Sequence, residues 1–462
     1  MTFAHHRTEA SRLDRLIAKY GGRVPRYTSY PTAVQFSSAV GESDFRRWLR
    51  SLRRADGAIS LYLHIPFCAQ LCWYCGCHTK VANAHAPVAD YVADLLTEID
   101  RVADALSGRL DVASVHFGGG TPNMLSPDEL AIILARIAKK FDLKSDADIA
   151  VEIDPRLLTR DWALGAAREG VTRASLGVQD FNPAVQAAIH RVQPFETVAR
   201  ARDALRDAGV ASVNLDLMYG LPRQTLGSLE ATTAQAIELA PDRLSLFGYA
   251  HVPWMKPHQA LIKEAELPDA RTRLLMQRQA AMDLEDAGFQ RLGLDHFARR
   301  EDALAEASAA HTMRRNFQGY TNDAADVVLG FGASAISRLP QGYAQNVADT
   351  RGWRERIDKG RLPVARGVVL DEEDRFRAAL IERLMCDFFV DVAEVAERHA
   401  WPLAEFDIDC KRLAEMEMDG LVYLSDGTVS VTDEGRDFVR SVAAVFDRYL
   451  ERGTGARHAQ GV

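Results

Sequence analysis

Six short apolar runs of strand type recur along the chain, and each is followed by a stretch that has helix-like spacing of apolar residues. The runs occupy residues 59–65, 112–117, 148–153, 173–178, 212–218 and 243–249. Helical spacing is clear in residues 88–106, 126–141 and 196–209, and the second of these begins with the helix-start signal Ser126-Pro127-Asp128-Glu129. Strands that alternate with helices predict an α/β fold with a parallel sheet.

Alternation alone leaves two architectures open, an open doubly wound sheet and an incomplete barrel. Both collect ligands at the carboxyl ends of their strands, and chemically suggestive residues fall at that edge in every unit. In chain order they are four cysteines, the string GGGTP, Glu152, Gln179, Asp216 and Ala250. We therefore predict one shared site at this edge.

The pattern changes beyond about residue 365, where helical segments surround a short hairpin with Asp426-Gly427 at its turn. We predict an N-terminal arm (1–55), a central barrel with its extension (56–365) and a mainly helical C-terminal domain with a small β-hairpin (366–462). Helices followed by a hairpin are also found in DNA-binding proteins, but residues 371–451 are rich in Asp and Glu. A cover over the mouth of the sheet is the favoured role, and residues 451–462 are expected to form a loose tail.

Composition narrows the class of protein. The 462 residues are 47% hydrophobic and 26% charged, which is typical of a folded globular protein. A net charge of -8 argues against a broad nucleic-acid-binding surface. No apolar run is long enough to cross a bilayer, and residues 1–26 lack the apolar core of a signal peptide. We expect a cytoplasmic protein without membrane insertion.

Four of the six cysteines lie within ten residues, at Cys68, Cys72, Cys75 and Cys77. Disulfides between such close neighbours would cross-link almost nothing, so a metal or redox site is the better interpretation. Structural zinc usually uses two separated ligand pairs and remains an alternative, whereas thiolates are the usual ligands of a [4Fe–4S] cluster. If three thiolates hold three irons, the fourth iron is open to bind a substrate or cofactor. The remaining two, Cys386 and Cys410, are expected to be small buried side chains.

The string C-x3-C-x2-C after a strand resembles the signature of the radical S-adenosylmethionine (SAM) superfamily. Further motifs in one consistent order resemble the oxygen-independent coproporphyrinogen III oxidases: RYTSYPTA at 26–33, YLHIPFC at 62–68, CGC, GGGTP at 118–122, VEIDP, GVQDF, DLMYGLP, DHFA and NFQGYT. The resemblance implies a partial (β/α)6 radical SAM barrel. It also implies a [4Fe–4S] cluster on Cys68, Cys72 and Cys75, and SAM as cofactor, with one or two molecules left open.

The same resemblance assigns site residues. It places SAM contacts at Tyr62, Tyr74, Gly76, Gly119, Gly120, Thr121, Glu152, Gln179, Arg191, Asp216, Ala250 and Ile336, and catalytic-site positions at Cys77, Gln318 and Ile336. Tyr74 and the neighbours of Arg191 depart from the commoner family residues. A structural interpretation stays open for each group. The glycines of GGGTP would then only form a tight turn, and Glu152 would make a structural ion pair. Gln318, Phe317 and Ile336 would be ordinary packing residues of loops.

The implied reaction is the anaerobic oxidative decarboxylation of two propionates of coproporphyrinogen III to vinyl groups, giving protoporphyrinogen IX. A tetrapyrrole with four carboxylates calls for basic or hydrogen-bonding side chains, and Arg26, Tyr27, Tyr30 and His296 are the candidates. We expect a monomer that uses an electron donor and an electron acceptor. The alternatives are a related radical SAM enzyme, such as a methyltransferase or heme-degrading enzyme, and a non-enzymatic heme-trafficking protein on the same barrel.

Overall fold

The computed structural model describes residues 12–403 and 410–450. Each of the six predicted runs forms a strand, and we number these strands in chain order. They are β1 (Ile59–Ile65), β2 (Asp111–Gly119), β3 (Asp142–Ile153), β4 (Arg173–Gln179), β5 (Ser212–Tyr219) and β6 (Arg243–Gly248). The strand predictions are confirmed.

The order of these strands distinguishes the two architectures. Each of β1 to β6 pairs in parallel with the next strand along the chain, with no reversal of order. A doubly wound sheet reverses its strand order at a switch point, whereas a barrel does not. The fold is therefore the predicted partial (β/α)6 barrel.

Short strands extend both edges to make a sheet of 12 strands. Beside β1 lie Val328–Phe331, Ile336–Leu339, Gly342–Asn346 and Val364–Val369, and beside β6 lie His296–Ala298 and Gln290–Leu292. Val328–Phe331 pairs in parallel with β1, and the remaining extension pairs are antiparallel. The extension therefore brings residues 290–369 alongside the barrel.

Helices cover the outer face of the sheet. Those that follow the barrel strands are Ala86–Ala105, Pro127–Lys140, Arg160–Arg168, Pro183–Ala188, Phe195–Asp207, Leu226–Glu238 and Ala270–Asp286. The predicted start signal at Ser126 is a capping box in which Ser126 Oγ accepts from Glu129 N and Glu129 Oε2 accepts from Ser126 N. Further helices are Glu42–Ser51, Ala303–Ala309 and Thr350–Asp358.

The period of two along the strands gives the barrel two different faces. In β5, Val213, Leu215 and Leu217 are buried in the core under the helices. Asn214 and Asp216 alternate with them and face the interior cavity. Because the inward positions are polar, the barrel encloses a polar chamber in place of a packed apolar core.

The C-terminal region contains the helices Glu372–Asp387, Val392–Arg398, Cys410–Met418 and Val439–Ala443. The predicted hairpin is present as Val422–Ser425 and Thr428–Val431, and Phe389–Asp391 adds a third strand to it. The last helix, Val439–Ala443, is followed directly by a short 3-10 helix at Ala444–Phe446. The predicted tail at 451–462 lies outside the described residues.

The N-terminal arm packs into the C-terminal region. Residues 12–20 are helical, and Leu13, Leu16 and Tyr20 share one apolar core with Phe376 and Phe438. The division of the chain at residues 55 and 365 stays a prediction. Within the part of the chain that the structure describes, no helix is both long and apolar enough to cross a membrane.

Candidate active site

A cavity of about 670 Å³ opens at the carboxyl ends of the barrel strands and continues into the barrel. Inward positions of β2 to β6 and the cysteine-bearing loop after β1 form its wall. The predicted site residues that line it are Cys68, Cys72, Tyr74, Cys75, Gly76, Cys77, Gly119, Gly120, Thr121, Glu152, Gln179, Arg191, Asp216, Ala250 and Gln318. The expectation that the motifs meet at one sheet edge agrees with this lining.

The cysteine loop presents its thiols to the cavity in different surroundings. Thr121 Oγ1 donates to Cys68 Sγ at 3.4 Å, and the Cys77 backbone N–H donates to Cys75 Sγ at 3.4 Å. Hydrogen bonding from Cys77 lowers the pKa of Cys75 to about 6. Thiolates are the form that binds metal, so Cys75 is prepared to act as a ligand.

Cys72 lies beside two guanidinium groups. Arg191 Nη1 is 3.6 Å and Arg156 Nη2 is 4.0 Å from Cys72 Sγ. Asp154 holds both arginines, with Arg156 at 2.7 Å and Arg191 at 3.4 Å. Burial acts to raise the pKa of Asp154, but the two arginines outweigh it and the pKa is lowered. The positive charges of both arginines therefore lie next to Cys72 Sγ.

A neighbouring loop fixes the backbone of the cysteine loop. Lys256 Nζ donates to the carbonyl of Cys77 at 2.9 Å, and Gln259 Nε2 donates to the carbonyl of Tyr74 at 2.8 Å. His258 Nε2 lies 2.8 Å from the carbonyl oxygen of Cys75. The sequence did not predict a role at the site for these three residues, or for Asp154 and Arg156. Residues in loops follow no periodic pattern that would indicate which residues they contact.

The residues present fit a [4Fe–4S] cluster. Among the described residues, no three Cys, His, Asp or Glu side chains converge on a point where one metal ion would sit. A cluster does not need such convergence, because each thiolate binds a different iron. Cys68, Cys72 and Cys75 border one cavity, and a Cβ placed on the adjacent Gly76 would meet nothing within 4 Å. The open space beside the three thiols is where a cluster and a ligand on its open iron would lie.

Close contacts require the glycines Gly119 and Gly120 at the end of β2. A Cβ on Gly120 would lie 2.7 Å from the carbonyl oxygen of Phe67 and 2.9 Å from that of Ile65. Gly119 has φ +110°, and its N–H donates to Glu152 Oε2 at 3.0 Å. The turn therefore is tight, and it also connects the cysteine loop to Glu152.

Glu152 has partners on both oxygens. Its Oε1 lies 3.1 Å from His116 Nε2, and Gly119 N binds the other oxygen. Burial acts to raise the pKa of Glu152, but His116 and Gly119 outweigh it and hold the pKa below its usual value. The residue is a carboxylate that faces the cavity, which fits both a ligand contact and the structural alternative.

Asp216 is the second carboxylate deep in the cavity. Ser175 Oγ donates to it at 2.7 Å and Asn214 Nδ2 at 2.8 Å. Burial raises its pKa, and the charge of Glu152 adds to this effect. The negative charge of Glu152 therefore disfavours ionisation of Asp216.

Several predicted residues lie elsewhere. Tyr62 is next to the chamber but outside the cavity lining, and its hydroxyl is 3.0 Å from His64 Nδ1. Ile336 begins an extension strand and is also outside the lining. Phe317 is 39% exposed and packs edge-on against Tyr343.

Of the four candidates for binding the substrate carboxylates, Arg26 and His296 line the cavity. Tyr27 and Tyr30 are instead buried in the core that the arm shares with the C-terminal region, and the structure does not place them on the cavity wall. Tyr27 donates to Asp447 at 3.0 Å, and Tyr30 accepts from the backbone of Arg448.

Cys386 is buried as expected. Cys410 is exposed, so its expected burial is wrong. It stands at the first position of its helix, where the residues that precede it are not described.

Comparisons with known proteins place this geometry in a family. A model described as the radical SAM superfamily matches residues 62–236, and one described as the HemN C-terminal domain matches residues 370–438. The chain is 46% identical over 439 residues to the oxygen-independent coproporphyrinogen III oxidase of Bradyrhizobium diazoefficiens, a match that covers 95% of this chain and 97% of the relative. The chain belongs to the oxygen-independent coproporphyrinogen III oxidase family.

Two further relatives agree with that membership. The oxygen-independent coproporphyrinogen III oxidase of Pseudomonas aeruginosa is 40% identical over 447 residues, covering 94% of this chain and 95% of the relative. A solved coproporphyrinogen III oxidase from Escherichia coli, described as a radical SAM enzyme, aligns with a TM-score of 0.87 at 38% identity. That alignment covers 92% of this chain and 98% of the solved one, so the likeness extends to the arm and the C-terminal region.

Proposed function

We propose that this protein carries out the anaerobic oxidative decarboxylation of two propionates of coproporphyrinogen III, giving protoporphyrinogen IX. In each round a hydrogen atom leaves the β-carbon of a propionate. Loss of carbon dioxide and of one electron to an acceptor then leaves a vinyl group. The observation that carries the proposal is the cysteine loop of a radical SAM protein facing a polar chamber, in a chain related to these oxidases over nearly its full length.

Cys68, Cys72 and Cys75 would hold the [4Fe–4S] cluster. When bound there, the cluster would supply the electron for the reductive cleavage of SAM. Arg191 and Arg156 lie beside Cys72 Sγ, where they would offset the negative charge of a cluster ligand, and they are themselves fixed by Asp154. These contacts support a stable thiolate site at the edge of the chamber.

SAM would lie between the cysteine loop and the ends of β2 to β6. Gly119 and Gly120 line the cavity there, and a ligand can approach their backbone closely because they lack side chains. Their N–H groups already donate to Glu152 Oε2 and to the carbonyl of Ile65. Glu152 is a carboxylate suited to a ligand ammonium or hydroxyl group, and Asp216, Gln179 and Ala250 complete the wall. Arg191 is held by Gly177 O at 2.6 Å as well as by Asp154, which favours a structural role beside any contact with SAM.

A second SAM molecule is the finer part of the cofactor proposal. Gln318 lines the cavity and supports such a subsite, whereas Ile336 lies just beyond the lining. Cys77 has a site-shaping role: its backbone N–H contacts Cys75, and its carbonyl is held by Lys256.

The partners of the reaction include an electron donor and an electron acceptor, and we propose that the protein acts as a monomer without nucleic acid. We also propose the cytoplasm as its compartment. The six cysteines are free thiols in the structure, which supports a reducing environment.

Product analysis tests the function. Reconstituted protein is supplied with a reductant, SAM and coproporphyrinogen III without oxygen, and the tetrapyrroles are separated and identified by mass. We expect a divinyl product from the wild-type protein and none from Cys72→Ala. Binding of heme without SAM cleavage would favour the trafficking alternative, and SAM cleavage with a methylated or ring-opened product would favour another radical SAM enzyme.

A further inference from the structure

Five arginines line the cavity wall. Those that line it are Arg26, Arg156, Arg173, Arg191 and Arg243. Four of these five form ion pairs within the protein: Arg156 and Arg191 with Asp154, Arg173 with Asp148, and Arg243 with Asp302. Within the described residues, Arg26 forms no ion pair with a carboxylate. It is therefore the cavity arginine whose charge is left for a ligand.

Arg26 is held so that its guanidinium faces the cavity. Its Nη2 donates to the carbonyl of Gly248, the last residue of β6, at 2.6 Å. The arm backbone is fixed on the other side, because Arg440 Nε donates to Pro25 O at 3.0 Å and Arg315 Nη2 donates to Arg26 O at 3.3 Å. The side chain is thus exposed to the cavity while its backbone is anchored in the protein.

Two more arginines lie directly behind this part of the wall. Arg273 Nη2 donates to the carbonyl of Tyr249 at 2.8 Å, and the Arg315 guanidinium lies over the ring of Tyr320 at 4.3 Å. Both tyrosines line the cavity. We call Arg26, Arg273 and Arg315 the arginine cluster.

The cluster carries more positive charge than its surroundings balance. Its carboxylate neighbour is Asp295, whose Oδ1 lies 3.8 Å from Arg315 Nη1, beyond direct hydrogen bonding, and 2.8 Å from His296 Nδ1. Burial acts to raise the pKa of Asp295, but Arg315, His296 and Arg26 outweigh it and lower that pKa to about 2. One carboxylate shared in this way leaves the cluster with excess positive charge.

Donors in the cluster are also left without acceptors. The Arg315 side chain is only 4% exposed, yet its Nε and Nη1 have no hydrogen-bond partner in the described part of the chain, and neither has Arg273 Nε. Buried charged donors normally find partners, and leaving them unpaired is costly. An anion placed next to Arg26 would offset the excess positive charge of the cluster.

We propose that Arg26 binds a propionate carboxylate of the tetrapyrrole substrate, and that Arg315 and Arg273 behind it supply the positive potential that makes this position selective for a carboxylate. The identity of the ligand rests on the proposed function. A guanidinium binds a carboxylate through two parallel N–H groups, so the contact orients the side chain as well as attracting it. Anchoring one propionate here would direct the macrocycle into the chamber.

The test uses variants of Arg26 and a matched control on the same arm. Arg23 stacks on Trp254 at 5.1 Å and is outside the cavity lining, so Arg23→Gln removes an arm charge without touching the site. The probe is coproporphyrin III, the air-stable oxidised form with the same propionates, and its fluorescence is titrated against each protein. SAM affinity and melting temperature are measured on the same samples.

Arg26→Gln should weaken coproporphyrin III binding at least about tenfold, since it removes the charged partner of a carboxylate. Arg26→Lys keeps the charge but not the paired N–H geometry, so its porphyrin affinity should lie between those of the wild type and Arg26→Gln. Arg23→Gln should bind like the wild type.

Equal porphyrin affinity in Arg26→Gln and Arg23→Gln would overturn the proposal. A loss confined to SAM affinity would also overturn it, by making the anion the carboxylate of SAM. Parallel loss of both affinities would mean that Arg26 only braces the arm. If the wild-type protein binds the porphyrin but forms no vinyl product, the proposed function fails, and the comparison of variants still decides whether Arg26 holds a carboxylate.

Discussion

Cys77 differs from the other three clustered cysteines in how it contacts its neighbours. Its backbone N–H donates a hydrogen bond to Cys75 Sγ, and any residue at position 77 except proline would supply this donor. We predict that Cys77→Ser retains wild-type iron and sulfide after anaerobic reconstitution, whereas Cys75→Ser loses most of both. Chemical analysis of iron and sulfide, with the absorbance of the brown protein, measures this. A colourless Cys77→Ser protein would make Cys77 a ligand and contradict the assignment.

Glu98 is a buried carboxyl group on the helix Ala86–Ala105 and accepts hydrogen bonds from Gly332 N, Asn346 Nδ2 and Trp353 Nε1. Burial raises its pKa from 4.5 to about 7, although these donors act in the opposite direction. Between these pH values the unfolded chain loses this proton while the folded protein keeps it. The folded state therefore loses stability as pH rises through this window, by roughly 3 kcal/mol in total.

We predict that this loss is absent in Glu98→Gln, which does not titrate. The melting temperature of the wild type, measured relative to Glu98→Gln, should fall from pH 5 to about pH 7 and stay constant above it. Exposed Glu169 provides the control: Glu169→Gln keeps Glu98, so its melting temperature relative to Glu98→Gln should fall over the same window as that of the wild type. A difference between wild type and Glu98→Gln that does not change with pH would show that Glu98 titrates normally.

At the scale of single residues, the sequence identified the groups that face the cavity and missed those that hold them. Glu152 could be found because a charged residue at the end of an apolar strand needs a partner, and Asp216 was found through the family resemblance. Lys256 and His258 could not, since they act through backbone carbonyls of a distant loop. Nor could the sequence show that Tyr27 and Tyr30 pack into a core, because an aromatic residue in a motif is equally suited to a site or to packing.

At the scale of elements, the turn between β2 and the following helix depends on close packing. A Cβ at Gly120 would meet backbone atoms of Ile65, Pro66 and Phe67. Backbone atoms cannot move aside as the end of a flexible side chain can. We predict that Gly120→Ala displaces the start of the cysteine loop and lowers both iron incorporation and melting temperature. Gly108 provides the control, because a Cβ there meets nothing within 4 Å. Equal iron content in Gly120→Ala and Gly108→Ala would contradict this account of the turn.

The barrel strands were predictable because they are long, apolar and regularly separated by helices. The extension strands were not, since most contain only three to five residues and carry polar positions such as Arg291 and Gln345. Short strands of this kind are stabilised by pairing with a sheet that already exists, and a local pattern does not record that partner. The identity of the barrel, as against a doubly wound sheet, came from the family resemblance and is confirmed by strand order.

At the scale of the whole molecule, the arm and the C-terminal region form one core although they are far apart in sequence. Leu13, Leu16 and Tyr20 are spaced as one face of a helix, so an apolar face was visible in the sequence, but its partner was not. This joint core fixes the segment that carries Arg26 against the cavity. The C-terminal region thereby contributes to the site through the arm, while its role as a cover stays a prediction.

The central claim is that a radical formed from SAM in this chamber removes a hydrogen atom from the propionate β-carbon. The most direct measurement supplies coproporphyrinogen III that carries deuterium at the β-carbons of its propionates, together with SAM and a reductant, and analyses the 5′-deoxyadenosine by mass spectrometry. We predict that deuterium appears in 5′-deoxyadenosine in step with the formation of vinyl groups. Vinyl product with deuterium-free 5′-deoxyadenosine, or 5′-deoxyadenosine formed without any vinyl product, would contradict the account.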